Sequence, residues 1–406
     1  MNAKLLAFFA VAAMVATSCN KDEEGGYELQ SDIVAEVKSG ETLTLEANTV
    51  YRLDAGLHVK DGGKLVIEEG VTIMAQYDDV NTDYIFVEQG GYIDAQGTAS
   101  KPIVMTSTKK EAGAWGGIHI CGKAPINTGD SSLSEIESLP YGGTDSADNS
   151  GVLKYIRLEY TGYSYSEDQE CNGFSFYGVG NGTTVEYCQS YYGSDDGFEF
   201  FGGTVNIKYC VATNNSDDSF DWTDGWCGTA QFIVAYQDAD ATVKCDCLLE
   251  CDNQGTDNSA SPASNPTIAN ATLIGDTYSD AKTDGVMLKA GTSIQFYNSI
   301  VTGKTYDIYY KSDVTIANVE GGDKKTVAAK FDGIYTTTGI SKEVSEKNEE
   351  QPITGITSSA TLVKSTFYNG VAFTVADAAA TIPTGLDTAN YVGAFDDTDW
   401  TIGWTL

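Results

Sequence analysis

The sequence is poor in the side chains that most often move protons in catalysis. It has 2 histidines, His58 and His119, and its arginines are Arg52 and Arg157 alone. Each histidine stands singly within a β-rich run, where a satisfied structural role is the expectation. Chemistry that needs a histidine beyond position 119, or an arginine in the middle of the chain, is excluded. Positive charge is short overall: 24 Lys and Arg face 58 Asp and Glu, giving a formal net charge of -34. That balance excludes nucleic acid and electrostatic docking on anionic lipid, and points to cations, basic partners or solubility outside the cell. Long apolar runs are missing too. The run from Leu5 to Val15 is too short to span a bilayer, and no other stretch is long enough. What is present is 41% hydrophobic residues, 24 tyrosines and 43 glycines, which suits a sizeable core and not a disordered acidic tail.

The N-terminus reads as an export address. Met1-Asn2-Ala3-Lys4 precedes the apolar run and Ala16-Thr17-Ser18-Cys19 follows it, the layout of a secretory signal, with a plain cut near Ser18 as the alternative. A cysteine directly after small residues resembles the bacterial lipobox. That resemblance implies a signal peptide over 1–18 and acyl chains such as palmitate on Cys19, sufficient to hold the chain on a membrane. Asn20-Lys21-Asp22-Glu23-Glu24 resembles the acidic tract that directs Bacteroidetes lipoproteins to the outer face of the outer membrane, although any solvated tether needs such charge. The expectation is a tether over 19–40 and a cell-surface, exterior-facing protein.

Eight further cysteines are Cys121, Cys171, Cys188, Cys210, Cys227, Cys245, Cys247 and Cys251. Their even number permits disulfides in an exported protein, and buried thiols fit equally. Cys245, Cys247 and Cys251 match no zinc spacing.

From Glu41 to Ile103, short β-rich runs recur without helices: Leu57 to Val59, Lys64 to Ile67, Val71 to Met74, Ile85 to Val87 and Tyr92 to Asp94. Gly62-Gly63 and Gly90-Gly91 open two of them. The clearest pattern is an internal repeat. Asp195-Asp196-Gly197-Phe198-Glu199-Phe200 aligns with Asp217-Asp218-Ser219-Phe220-Asp221-Trp222 at a constant offset of 22, which Cys188 and Cys210 also obey. Asn172-Gly173-Phe174-Ser175-Phe176 is a looser earlier copy, and Asp284-Gly285-Val286-Met287-Leu288 a later one. A period of about 22 residues is one turn of a parallel β-helix, and the leucine-and-asparagine frame of leucine-rich repeats is absent. The expected fold is all-β, a right-handed parallel β-helix (solenoid) over 41–320 with C-terminal rungs or a cap over 321–406. Equivalent residues then stack at roughly 4.8 Å. Phe174, Phe198 and Phe220 form one interior column, and Phe176, Phe200 and Trp222 another. A charged, helix-prone piece from Ser341 to Gln351, ended by Pro352, belongs to the C-terminal part.

Several segments carry a family resemblance: GTASKPIVMTS (97–107), WGGIHICGKAPIN (115–127), YGGTDSADNSGVLKYIRLEY (141–160), SNPTIANATLIG (264–275) and YVGAFDDTDWTIGWT (391–405), together with the two acidic rungs. They resemble the β-helix surface lipoproteins of Bacteroidetes and some marine bacteria, a group with no settled activity. The resemblance strengthens the fold and not the function. A transporter-type label sometimes attached to that group conflicts with the lack of spanning segments.

Asp195, Asp196, Glu199, Asp217, Asp218, Asp221 and Asp224 fall on two adjacent rungs. Like charges about 5 Å apart repel by about 3 kcal/mol per pair at an effective dielectric near 20, before salt screening, so something must offset them. One answer is calcium, whose 6 to 8 oxygen ligands Asp195, Asp196, Glu199, Asp217, Asp218 and Asp221 can supply. A second is that the side chains fan into water or cap turns by accepting backbone N–H bonds. A third is catalysis, with Glu199, Asp221, Asp196 and Asp218 as paired carboxylates near the ~5 to 5.5 Å separation of retaining glycosidases. A polysaccharide lyase needs a base, and only Lys208 or Lys244 is at hand. Tyr155, Tyr160, Tyr163, Tyr165, Tyr177, Tyr187, Tyr191, Tyr192 and Tyr209 are dense enough for a sugar-stacking platform, or for half-buried packing.

The sequence therefore favours a non-catalytic surface lipoprotein that binds a glycan, a cation-bridged ligand or an outer-membrane partner, such as a TonB-dependent protein, along an acidic face. A carbohydrate-active enzyme and an inert scaffold or adhesin are the alternatives.

Overall fold

The computed structural model describes residues 31–78, 82–166, 169–238, 241–276, 284–319, 328–337, 340–342, 357–358, 362–375 and 379–406. The expected signal over 1–18 and Cys19 lie outside the described residues, as does the helix-prone piece beyond Lys342.

The described chain is a parallel β-helix. Its strands stack into an 11-stranded and an 18-stranded parallel sheet that face each other across one core. The only helices described are Asp313–Val319 and Phe367–Gly370. The first described strands, Ser31–Asp32 and Glu36–Val37, pair with the following rung. Leu57–Val59, Lys64–Ile67 and Ile85–Val87 fall where alternation placed them, because period-two patterning sends Leu65 and Ile67 inward and leaves Lys64 and Val66 partly exposed. The glycine doublets mark stacked corners. Gly62 and Gly90 have φ of 76° and 90°, and the Gly62 N–H donates to the Gly90 carbonyl at 2.9 Å. A Cβ at Gly91 would lie 2.4 Å from the Val59 carbonyl oxygen.

The 22-residue offset is one rung. Phe174, Phe198 and Phe220 are cross-strand partners, with ring centroids 4.7 and 5.0 Å apart. Phe176 and Phe200 stack at 5.3 Å. Trp222 holds its backbone register with Phe200, but the ring that stacks on Phe200, at 4.1 Å, is that of Trp226. Trp222 is tilted against Trp226 instead, with ring centroids 5.6 Å apart, because Trp226 takes the place over Phe200. The next rung, Leu249–Cys251, continues the column, and Val286 of the later repeat copy stacks on Leu249. Cys188 and Cys210 are fully buried free thiols, and none of the eight described cysteines forms a disulfide.

At one corner the chain turns through a left-handed backbone on rung after rung: Tyr155, Tyr187, Tyr209 and Phe232 have φ of 52°, 55°, 55° and 56°. Each such residue costs about 1 kcal/mol or more. Ring stacking at 4.4, 4.6 and 4.9 Å along this ladder offsets the cost. Asn270 and Asn298 continue the corner with φ of 54° and 47°.

Residues 379–406 run back along this corner as a strap. Asn298 Nδ2 donates to the Ala380 carbonyl at 2.8 Å, Asn270 Nδ2 to that of Tyr391 at 2.8 Å, and Arg157 Nη1 to that of Trp404 at 3.1 Å. The Trp404 ring meets Tyr155 and Tyr187 edge-on at 5.9 and 6.1 Å. The Tyr187 ring is stacked on both faces, by Tyr155 and Tyr209, so the ladder is packing beside the strap and offers no open face to a sugar at Tyr187. Among the described residues no helix is long and apolar enough to cross a membrane.

Candidate functional site

The 11-stranded sheet positions the site. In Phe174–Tyr177, Phe198–Phe201, Phe220–Thr223 and Leu249–Cys251, the alternation that turns phenylalanine and leucine inward turns the residue between them outward. Ser175, Glu199, Asp221 and Glu250 therefore form one column, each the cross-strand partner of the next. The turns just before these strands bring Asp195, Asp196, Asp217 and Asp218 to the same side. Asp196 Oδ1 accepts from the Asp218 N–H at 2.9 Å, and Asp218 Oδ1 accepts from the Cys247 N–H. One oxygen of each aspartate thus caps the following rung, as the turn-capping alternative requires.

These side chains do not fan into water. Asp195, Asp196, Glu199 and Asp218 are 7, 5, 9 and 3% exposed. They are enclosed because two hairpins fold over the face. Ser132–Leu133 with Pro140–Tyr141 delivers Glu135, and Ser164–Ser166 with Gln169–Glu170 delivers Glu170. The result is a cavity of about 150 Å3 lined by Asn172 and nine carboxylates: Glu135, Glu170, Asp195, Asp196, Glu199, Asp217, Asp218, Asp221 and Glu250. Asn172 Nδ2 donates to Glu199 Oε2 and to Ser175 Oγ. Asp221 is half-buried as a residue, yet its Oδ1 is enclosed without a hydrogen-bond partner.

Burial, reinforced by mutual repulsion, makes the carboxyls reluctant to ionise. Asp195 is pushed up to about 8 by burial first and then by Glu170 and Asp217. Glu135 is pushed up to about 7, again chiefly by burial. Asp196, Glu199, Asp218 and Asp221 are all held well above the usual carboxylate range, with burial the largest cause and neighbouring carboxylates next.

The oxygens fit a hard cation. Ligand atoms of Asp195, Asp196 and Asp217 lie within 4.8 Å of one another, and so do those of Asp196, Asp218 and Asp221. Oxygens around one calcium, each at about 2.3 to 2.6 Å, stand up to about 5 Å apart. The enclosed, unpartnered Asp221 Oδ1 is the kind of donor that such an ion would satisfy.

All six carboxylates singled out from the sequence as metal ligands are brought together, and so are the four weighed as catalytic. Asp224 is not: its carboxylate accepts from the Tyr141 hydroxyl at 3.1 Å and lies outside the cavity. Lys208 belongs to Asn206–Lys208 of the other sheet, where its Nζ donates to Asp387 at 2.7 Å, so it is no lyase base for this site. Lys244 does not line the cavity either. An ammonium does reach a lining carboxylate: Lys289 Nζ is 2.6 Å from Glu250 Oε2 and 3.7 Å from Asp252. His119 is fully buried, bonded through Nε2 to the Gly116 carbonyl, stacked between Phe86 and Tyr177, and pushed down to about 4 by burial.

Sequence reasoning missed Glu135, Glu170, Asn172 and Glu250. The first two arrive on hairpins with no repeat signature. Asn172 opens the earlier repeat copy and aligns with the aspartates, which was the available signal. Glu250 escaped because insertions stretch the offset to 29 residues between Phe220 and Leu249.

A family model described as a pectate-lyase-like β-helix domain matches residues 36–405. The chain belongs to that family. The match takes in every rung of the cavity, the two hairpins and the strap of this pectate-lyase-like domain. No curated protein and no solved structure matches the chain.

Proposed function

We propose that this pectate-lyase-like β-helix protein is a cell-surface, outer-membrane lipoprotein of the Bacteroidetes type that binds calcium in its acidic cavity. Through the ion it engages an anionic ligand such as an acidic glycan, without turning it over. Acylated Cys19 supplies the anchor, and a TonB-dependent outer-membrane protein is the partner that such an address favours. The observation that carries the reading is the convergence of nine carboxylates, with no basic side chain in the lining, on one small cavity. A lone buried carboxylate neutralises by taking up a proton. Nine together, with an oxygen left unpartnered, suit a divalent ion that cancels charge and fills coordination at once.

Thermal unfolding with and without chelator tests the proposal. Calcium at about 100 times its Kd should add about 2.7 kcal/mol of stability. Asp196→Asn, which removes charge from both oxygen groups, should abolish that gain. Identical melting curves in chelator and in calcium would defeat the reading and leave an inert scaffold or adhesin.

A second reading rests on Glu199 and Asp221. They are register partners on adjacent rungs, about 4.8 Å apart along the backbone, close to the carboxyl separation of retaining glycosidases. Turnover of a polysaccharide that disappears in Glu199→Gln and Asp221→Asn, with the melting temperature preserved, would establish a hydrolase in place of a binding protein.

A further inference from the structure

A second corner of the coil is also built on tyrosine, and it is finished differently from the ladder beside the strap. Tyr160, Tyr192 and Asn214 stand there on three successive rungs. The Tyr160 N–H donates to the Tyr191 carbonyl, and the Tyr192 N–H to that of Thr213. All three corner residues are left-handed, with φ of 65°, 58° and 54°. Asparagine visits that backbone readily and tyrosine does not. Along Tyr155, Tyr187 and Tyr209 the same strain is offset by flat stacking, with interplanar angles of 13° and 7°. At this corner it is not. The Tyr160 and Tyr192 rings are inclined at 47° with centroids 6.5 Å apart, and Tyr191 meets them at 79° and 54°. Among the described residues no ring lies flat on any of the three. Each is half-buried, and its hydroxyl is open to solvent and makes no hydrogen bond to the described protein.

The charges around the trio are already paired. Lys110 Nζ lies over the Tyr160 ring, 5.5 Å from its centroid, and donates to Thr106 Oγ1 at 2.6 Å. It stands 3.8 Å from Glu159, which also takes Arg157 at 2.7 Å. Asp238 adds negative charge beside Tyr192. Neither cation is left over for an anion, and a chain of net charge -34 repels polyanions.

We propose that Tyr160, Tyr191 and Tyr192 form a stacking site for a neutral pyranose ring of a glycan. A sugar ring presents a C–H face to the tyrosine ring and hydroxyls to its phenol, so half-buried rings with unused hydroxyls suit it. Lys110 has further N–H donors that a sugar hydroxyl can accept without supplying charge. Strain that packing leaves uncompensated marks residues held for a ligand. The site lies on the turn that leads to the cavity, since Tyr192 and Asp195 flank Gly193 and Ser194. It needs no ion, so the inference goes beyond the calcium reading and does not depend on it.

Affinity electrophoresis of the full-length protein in chelator, through gels containing xylan, mannan, galactan or β-glucan, is the test. At least one of these neutral polymers should retard the chain. Tyr192→Asn installs a residue that tolerates the left-handed backbone, as Asn214 does one rung on. It should melt no lower than the unmodified protein while its affinity falls about tenfold or more. Tyr191→Ala, at a position without that strain, should lose as much. Asp196→Asn should lose the calcium gain and keep the retardation, so the two sites fail separately. No retardation by any of the four polymers overturns the proposal, and so does retardation unchanged in Tyr192→Asn or Tyr191→Ala. A clear fall in the melting temperature of Tyr192→Asn also overturns it, because the ring would then be packing.

Discussion

Glu199 and Asp221 are direct register partners on adjacent rungs, one bonded to Asn172 and the other carrying an enclosed oxygen with no partner. Two carboxylates in that relation cannot both be ionised cheaply, since repulsion at about 5 Å is about 3 kcal/mol before screening. Asp221→Asn removes a charge and adds a donor that Glu199 can accept. In chelator this variant should be more stable than the unmodified protein by about 1 to 2 kcal/mol. Urea unfolding in chelator measures it, and a loss of stability there would show that the pair is already satisfied without an ion.

The same cavity sets a pH dependence. Folding raises Asp195 to about 8 and Glu135 to about 7, both above their unfolded values near 4. The folded state then binds more protons than the unfolded one between about pH 4 and pH 8, so stability is greatest at the low end and falls as pH rises through that window. Each group contributes a slope of about 1.4 kcal/mol per pH unit while it is protonated folded and ionised unfolded. Chemical denaturation at pH 5.5 and pH 8 in chelator should show the loss, and calcium should flatten it. A metal-free protein more stable at pH 8 would contradict the enclosed, repelling arrangement.

Trp404 is fully buried against the tyrosine ladder. Trp404→Ala should cost about 3 to 5 kcal/mol and expose the strap to protease while the rungs keep their far-ultraviolet β signal. Unchanged proteolysis of the C-terminus would mean that the strap is held by other contacts.

The Asn298 side chain makes two bonds to the strap, donating to the Ala380 carbonyl and accepting from the Ala380 N–H at 2.7 Å, at a backbone φ of 47°. Asn298→Gly keeps the backbone and loses about 2 kcal/mol with the two bonds. Asn298→Ala adds the left-handed penalty and should lose about 1 kcal/mol more. Paired denaturation curves separate the terms, and equal losses would remove the backbone contribution.

The coil itself was legible because its signal is local and periodic. Phe174, Phe198 and Phe220 repeat on a fixed offset, and the doublet glycines punctuate the early rungs. The acidic residues were legible as a strip for the same reason. Their enclosure was not, because Glu135 and Glu170 come from hairpins that share no pattern with the rungs they cover. Nor was the fate of the tyrosines. Tyr155, Tyr187 and Tyr209 look the same in sequence whether they await a ligand or lie beneath Trp400 and Trp404, and that choice is made by residues about 200 or more positions away.

The strap also ties distant parts of the sequence into one folding unit. It returns to rungs built 217 positions earlier, where the Leu406 N–H donates to Gln189 Oε1. Cutting the chain between the rungs and the strap would leave the coils in place yet bare a wall of tyrosine to proteases and to other copies. The strap thus acts as a seal whose two sides are written far apart in the sequence.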